Sequence, residues 1–375
     1  MPAGERPDVI VIGAGIIGCA VACELGRRGA SVRVIEGRDI GGGATQASAG
    51  ILAPYTEAHR PGPLRTLCAE SLGLWDDFVG RAVADSGRDV LYERTGTLEV
   101  VTDEASLRRL EQTGAALAAA GVECRLLTAR EARAAEPSLG AMAAGALLVP
   151  SHGFAGVTAL TGALRRAGAT RHGVSFVTGR PVRRVRSRPA GGLEVDTAAG
   201  PLTGDAVVLA AGSWSGGVAV AGEAALPVRP VRGQLLQLAW SGDPLARVLW
   251  CPDCYLVPWP GGSMLVGATV EDVGFDERAT VAGVTALIEA VSGVLPEARH
   301  AGFEAVRVGL RPGTPDDLPV VGRSAAAPGL VYATGHYRNG VLLAPLTARL
   351  VADLLLDGRE DPLLAAVSPA RFAAA

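Results

Sequence analysis

Gly13, Gly15 and Gly18 stand in the run Gly13-Ala14-Gly15-Ile16-Ile17-Gly18. This is a G-x-G-x-x-G spacing, and an acid, Glu36, follows roughly 20 residues on. The chemistry of that set is the binding of an adenine dinucleotide. Gly13 permits a tight turn, Gly15 lets the backbone approach a pyrophosphate, and Gly18 lets helix and strand pack closely. The first helical turn after Gly15 offers free N–H groups and positive dipole to the phosphates, and Glu36 is placed to accept ribose hydroxyls. The spacing alone leaves NAD and FAD both open. A second pair of interest is Cys251-Pro252-Asp253-Cys254, a C-x-x-C that can serve as a redox pair or as half a zinc site. No second pair or histidine cluster completes a metal site, so no metal is expected, and the six cysteines read as inert thiols of a reducing compartment.

Composition narrows the rest. All 35 basic residues are arginine. Without lysine there is no Schiff base for pyridoxal phosphate and no Walker A loop. A net charge of −3 gives no electrostatic case for nucleic acid or an anionic membrane surface. The apolar run from Val9 to Cys23 carries the glycines of the fingerprint and is shorter than the ~20 residues a bilayer span needs. With only Arg6 before it as a nearby basic residue, it does not read as a signal peptide, and a cytoplasmic location is expected. At 375 residues and 49% hydrophobic composition the chain can bury two domain cores.

The elements that must hold these residues follow from periodicity. Val9-Ile10-Val11-Ile12 reads as a buried strand, the residues to about Arg28 as a helix closed by Gly29, and Ser31 to Ile35 as a second strand ending on Glu36. The run Gly41 to Gly50 is made of small residues, which let backbone amides approach a flat ligand. One amphipathic helix is expected from about Pro63 to Val83. A strand follows at Thr97–Thr102, then helices over Glu104–Ala120 and Glu131–Leu139. The chain returns to a βα pattern from Gly153, with a helix from Val157 and strands at Val174–Val177 and Pro181–Arg188. Arg183, Arg184, Arg186 and Arg188 read as a solvated face. Asp205 to Gly212 is a buried strand ending on small residues. Val228–Trp240 and Tyr255–Thr269 read as antiparallel strands with turn signals between them such as Pro260-Gly261-Gly262, Thr280–Leu295 as a helix and Glu304–Leu310 as a strand. Leu330–Thr334 is a short buried strand, Gly335–Gly340 a turn, and Val341–Leu356 a helix. βα units at the start, middle and end imply one α/β, Rossmann-like domain assembled from discontinuous segments, here 1–85, 146–226 and 312–375. The intervening 86–145 and 227–311 are expected to form a mostly antiparallel α+β domain.

Four stretches lie in order along the chain: the fingerprint with Glu36, Ala44 to Leu52, Val207 to Gly212, and Gly335-His336-Tyr337-Arg338-Asn339-Gly340-Val341-Leu342-Leu343-Ala344-Pro345. With Gly309-Leu310-Arg311-Pro312-Gly313-Thr314-Pro315 added, the chain resembles the D-amino-acid oxidase superfamily of FAD enzymes, and within it glycine oxidase of thiamine (thiazole) biosynthesis. The resemblance runs over nearly the full length. It implies a noncovalently held FAD, and no cysteine lies between Phe303 and the C-terminus to tether it in the manner of some relatives.

Carried over by position, the resemblance places Ile16 and Ile17 at the pyrophosphate and Glu36, with Gly37, at the adenosine ribose. Ala44, Thr45, Ala49, Gly50 and Ile51 fall at the pyrophosphate and isoalloxazine, and Val182 beside the adenine. His336, Tyr337, Arg338, Asn339, Gly340, Val341 and Leu342 wrap the flavin, with a helix starting near Gly340 aiming amides at the negative edge of the reduced ring. Arg311, Tyr255 and Arg338 are implied to bind substrate, because an amino-acid carboxylate entering a dry pocket needs a charged partner and a planar fork can hold both oxygens.

The implied reaction is oxidative deamination of glycine, with sarcosine or small D-amino acids as further substrates. Hydride passes to flavin N5, and glyoxylate, ammonia and hydrogen peroxide are the products, with molecular oxygen as partner. No side chain is needed as general base. A homo-oligomer is implied as well. Other readings consistent with the residues are a sarcosine or D-amino-acid oxidase, a quinone-linked dehydrogenase, an NAD-linked dehydrogenase using the same turn, and a flavin-binding protein without catalysis.

Overall fold

In the computed structural model, which describes residues 6–58, 60–240 and 242–372, two large sheets carry the molecule. The outer ends of the expected cofactor domain, 1–5 and 373–375, lie outside the described residues. The first sheet is six-stranded, in the spatial order Val320–Arg323, Leu330–Thr334, Ala206–Leu209, Val9–Ile12, Val32–Ile35 and Ser175–Val177. Val9–Ile12 (β1) sits between Val32–Ile35 and Ala206–Leu209 and runs parallel to both. Only the edge strand Val320–Arg323 is antiparallel to its neighbour.

All four residues of β1 are buried, which explains the absence of polar alternation in its sequence. Val9 and Val11 face a helical layer that includes Ile16–Arg27 (α1), Val157–Arg171 and Ala344–Ala352. Ile10 and Ile12 face the opposite side, against Val185, Leu193 and Val195 of a small four-stranded sheet. Each such side chain contributes about 1.5–3 kcal/mol on burial. Arg183, Arg184 and Arg186 are exposed on the strand Val182–Ser187 of that small sheet, as expected; Arg188, expected with them, is half-buried just past its end.

The second sheet has eight strands and is antiparallel at every pairing except that between Thr97–Val101 and Val248–Trp250. Its spine is the long pair Arg229–Ala239 and Gly302–Gly313, in register from Arg229↔Gly313 to Ala239↔Gly302 with one irregularity after Gln237. Helix Val281–Val294 packs Leu287 and Val291 into the core behind it. Gly145–Val149 pairs in this sheet, so the chain leaves it only after Val149.

Two expectations about elements need correction. The single helix from Pro63 to Val83 is two, Pro63–Leu72 and Trp75–Ser86. The break at Gly73-Leu74 turns the wholly buried Trp75 so that its Nε1 donates to the Leu342 carbonyl at 3.0 Å. The stretch Tyr255 to Thr269 folds, as expected, at Pro260-Gly261-Gly262 into the antiparallel strands Tyr255–Trp259 and Ser263–Gly267. The last helix begins at Ala344, with Pro345 in its first turn, and widens to a π turn over Asp353–Asp357. Residues 340–343 form turns instead, closed by Leu343 N to Asn339 O at 2.8 Å and Ala344 N to Val341 O at 3.1 Å.

Candidate cofactor and substrate site

One cavity of about 970 Å³ opens between the two large sheets. Its first end is built by the turn after β1. Gly13 has φ +102°, and a Cβ there would collide with the Ala210 carbonyl oxygen, so only glycine closes this turn against the neighbouring strand. A Cβ on Gly18 would strike the Gly13 carbonyl, which is the packing role expected of it; Gly18 does not line the cavity itself. Helix α1 starts without a side-chain cap because its cap residue is Gly15. The Ile16 amide is held by the Thr45 hydroxyl at 3.0 Å, which docks the small-residue run onto the helix start. Glu36 lines the cavity with its carboxylate locked, Oε2 accepting from Ala14 N at 2.7 Å and Oε1 from Arg38 N at 2.8 Å. Gly37 and Val182 line the same end.

Ala44, Thr45, Ala49, Gly50 and Ile51 carry the cavity onward. Opposite them, a Cβ on Gly309 would lie 2.8 Å from Ala47 Cβ and 3.2 Å from Ala44 Cα, so small residues on both sides are what let these backbones meet. His336 to Val341 line the next part of the wall. This turn is tied to the strand bearing Arg311 by Tyr337 N to Pro312 O at 3.0 Å, with Tyr337 itself at φ 45°. His336 is buried and its Nε2 lies 3.0 Å from Thr347 Oγ1; burial lowers its pKa to about 3, so the ring is neutral. Leu342 does not line the cavity: its carbonyl faces inward to Ser71 Oγ at 2.6 Å and to Trp75 Nε1.

At the far end the residues expected to bind substrate converge. Arg311 lies opposite Val231 in the long strand pair, and its Nη1 donates to the Thr269 carbonyl at 3.0 Å and the Arg232 carbonyl at 3.4 Å. Its guanidinium passes over Gly233, where any Cβ would occupy the same space. Tyr255 lies opposite Gly267, and its phenol fills the space a Cβ there would need. Two glycines with ordinary strand positions are therefore what admit the two long polar side chains. Burial raises the Tyr255 pKa against the pull of Arg311 and Arg338, so its hydroxyl stays a proton donor.

Arg338 reaches this end too, stacked 5.7 Å over Trp250 and paired with Glu57, Nε to Oε2 at 3.0 Å. Glu57 was not anticipated. It ends the four-residue helix Pro54–Glu57 and lines the cavity. Burial pushes its carboxyl above the ordinary value while Arg338 and Arg311 pull it down. For Arg338, burial works against the charge and Glu57 more than offsets it, leaving the guanidinium pKa raised. A lone acid after Leu52-Ala53-Pro54-Tyr55-Thr56 carries no signal by type. The one local hint is Pro54, a residue type favoured at the first position of a helix.

Cys251 and Cys254 line the cavity beside Tyr255, joined by Cys251 N to Cys254 O at 2.8 Å. Contact with Cys254 and burial push the Cys251 thiol well up, which keeps it protonated and unreactive. Among the described residues no cluster of three metal-ligating side chains occurs, and no helix is long and apolar enough to cross a membrane.

The residues fit a dinucleotide carrying a flat ring system. A glycine-capped helix start and a locked acid form one end, a floor of small residues continues from it, and charged groups stand at the other end.

The comparisons agree with this geometry. The chain is 33% identical to glycine oxidase of Geobacillus kaustophilus over 353 residues, 94% of this chain and 93% of that one. The crystal structure of glycine oxidase from that organism superposes with a TM-score of 0.92, covering 97% of this chain and 98% of the other. The bifunctional protein ThiO/ThiG of Synechocystis is 35% identical over 371 residues; the chain spans 54% of that relative's length, about half. The family model described as FAD dependent oxidoreductase matches residues 8–354. This chain belongs to the FAD-dependent oxidoreductase family.

Proposed function

We propose that this protein is an amino-acid oxidase that deaminates glycine oxidatively, with sarcosine and small D-amino acids as further substrates. Glyoxylate, ammonia and hydrogen peroxide are the products from glycine, and the product serves thiamine thiazole synthesis. FAD, held without a covalent bond, supplies the two-electron acceptor. One observation carries the reading: Arg311, the Tyr255 hydroxyl and the Glu57–Arg338 pair stand at one end of a cavity whose other end is the dinucleotide turn. The names of the glycine oxidase and ThiO/ThiG relatives support it.

Each residue has a job in this scheme. Arg311 is held by two backbone carbonyls through Nη1, which leaves its remaining N–H groups to grip a carboxylate. Tyr255, kept protonated, donates a further hydrogen bond to the same carboxylate. Arg338 is paired with Glu57, which leaves Arg311, among the described residues at this end, as the guanidinium without a carboxylate partner and so the one suited to a substrate carboxylate. Pinning that end fixes the orientation of Cα. Positioning then does most of the catalytic work, and no side chain acts as general base.

The same proposal divides the chain into a cofactor domain of 1–85, 146–226 and 312–375 and a substrate domain of 86–145 and 227–311. Support comes from the six-stranded sheet, drawn wholly from the first set of segments; Gly145–Val149, which pairs in the eight-stranded sheet, shifts the boundary at 146 to just after Val149.

The test is an anaerobic panel. Purified yellow protein is mixed with glycine, sarcosine and small D-amino acids, and loss of flavin colour is followed. Bleaching by glycine is expected, with peroxide formed once air is admitted. Protein that no amino acid bleaches is not an amino-acid oxidase, and bleaching without peroxide in air would point to a quinone-linked dehydrogenase.

A further inference from the structure

Ala268 and Val270 of the cavity wall belong to a segment that the proposed chemistry uses only through the Thr269 carbonyl. Residues 268–280 leave the strand Ser263–Gly267 and end at Thr280, the cap of helix Val281–Val294. The base of this segment is built in. Arg232 and Glu271 exchange both backbone hydrogen bonds, Arg232 N to Glu271 O at 2.9 Å and Glu271 N to Arg232 O at 3.0 Å. The Arg232 side chain is only 4% exposed. It donates through Nε to Glu271 Oε2 at 3.2 Å and through Nη1 to the carbonyls of Asp276 and Arg278 at 3.4 and 3.2 Å. Gln234, fully buried, donates to Glu271 Oε1 at 2.8 Å and accepts from Thr280 N at 2.9 Å. Removing one member of such a network strands a buried charge, so the base is fixed.

This base is also what touches Arg311. The Thr269 carbonyl accepts from Arg311 Nη1 at 3.0 Å, and the Thr269 hydroxyl is in turn held 2.6 Å from Glu271 Oε1.

The tip reaches the opposite end of the cavity. Glu277 pairs with Arg38 at 2.9 Å, and the Phe275 ring lies 5.7 Å from that of Trp214. The Arg38 guanidinium stacks 5.1 Å over the same Trp214. Arg38 and Trp214 both line the cavity beside Glu36 and Gly43. These tip contacts are wet, with the Arg38 side chain 45% and Phe275 55% exposed. An exposed ion pair and one aromatic contact are separable in a way that the buried network is not.

We propose that residues 268–280 are a strap shared by both ends of the cavity: its base positions Arg311, and its tip latches over the adenosine arm of bound FAD. The latch half rests on the family's cofactor alone. The positioning half rests on the reading of Arg311 as the carboxylate's partner. Cofactor enters when Glu277 and Phe275 let go, while Glu271 and Arg232 keep the Thr269 carbonyl against Arg311.

The holoenzyme tests both halves. Flavin release on dilution is followed by the rise in free-flavin fluorescence. Glu277→Gln is expected to speed release ~2- to 5-fold, and Phe275→Ala ~2- to 12-fold. Added salt speeds release from the unaltered protein and leaves Glu277→Gln unmoved. Unchanged release in both variants overturns the latch. For the base, Glu271→Gln is expected to raise KM for glycine about 10-fold or more and to weaken glycolate binding in step, with kcat at saturation and flavin release unchanged. That is the loss of about one charge-assisted hydrogen bond. Arg232→Lys, which keeps the charge but cannot span Glu271 and the loop carbonyls, is expected to do the same and serves where Glu271→Gln does not fold. A folded variant with unaltered KM overturns the positioning half. If glycolate fails to perturb the flavin spectrum of the unaltered protein, the carboxylate reading of Arg311 fails, and the positioning half with it.

Discussion

Replacing Arg311 is the sharpest perturbation of the substrate end. In the native site one arm of its guanidinium is spent on the carbonyls of Thr269 and Arg232, at 3.0 and 3.4 Å, so the side chain is held in place before any ligand arrives. Arg311→Ala removes the one guanidinium near Tyr255 that, among the described residues, has no carboxylate partner, because Arg338 is already paired with Glu57. A carboxylate then loses its partner in a desolvated pocket, at a cost of about 2–5 kcal/mol, or roughly 30- to 5000-fold in kcat/KM. Arg311→Lys keeps the charge without the planar fork and is expected to fall between the two.

The assay is steady-state peroxide formation from glycine, with flavin content and melting temperature measured on the same preparations. Two backbone carbonyls lose a donor in Arg311→Ala, so some loss of stability accompanies the change. Adding guanidinium ion to the folded variant separates the effects, since partial rescue of turnover restores the missing partner and leaves stability unimproved. A fall in kcat/KM of less than about 5-fold, under about 1 kcal/mol, in a variant that keeps its flavin refutes the assignment.

Other outcomes follow from the same geometry. Burial raises the Glu57 carboxyl, so acidification neutralises it above the ordinary carboxylate range and frees the Arg338 charge; glycolate affinity is expected to rise as pH falls, and Glu57→Gln to flatten that dependence. A flat profile in the unaltered protein contradicts the pairing. His152 and His336 are both lowered by burial from 6.5 to about 3. Their contribution to stability is complete above the unfolded value and is lost as pH falls, because the unfolded chain binds protons the native one cannot, by about 1.4 kcal/mol per pH unit for each histidine. Denaturant titrations between pH 6.5 and 4.5 on the unaltered protein and on His152→Gln read this slope by difference, because carboxyls raised by burial, Glu99 to about 7 among them, titrate in the same window with the opposite sign; identical pH slopes in the two proteins rule it out. Gly13→Ala puts a Cβ into the Ala210 carbonyl at φ +102°. It is expected to cost more than about 1 kcal/mol and to lower flavin content, and a fully yellow variant with native melting counts against the tight turn.

The dinucleotide end was legible because it is local. Strand, glycine turn, helix and acid are contiguous from Val9 to Glu36, and their alternation, breaks and spacing carry the whole arrangement. The substrate end is assembled from residues far apart, such as Glu57 and Arg338, which stand 281 positions apart. Nothing near Glu57 marks it as the partner of a distant arginine. Gly233 and Gly267 were equally silent. Each matters only because a side chain from another strand, Arg311 or Tyr255, crosses it. The element boundaries that differ have the same cause. The helix expected over Pro63 to Val83 breaks where Trp75 must turn to meet Leu342, and the last helix starts at Ala344 because the preceding turn is shaped by contacts with Pro312 and Asn339. Arg311 and Tyr255 themselves came from resemblance to a family, since by type they are an ordinary strand arginine and an ordinary strand tyrosine.

The central claim is a statement about where one carboxylate sits. A crystal structure of the yellow holoenzyme soaked with glycolate reads it directly. The account requires the ligand's carboxylate within hydrogen-bond reach of the Arg311 guanidinium and the Tyr255 hydroxyl, with its α-carbon turned toward the flavin ring. A carboxylate turned away from Arg311, or a ring system lying elsewhere than between Ala44–Ile51 and His336–Val341, contradicts it.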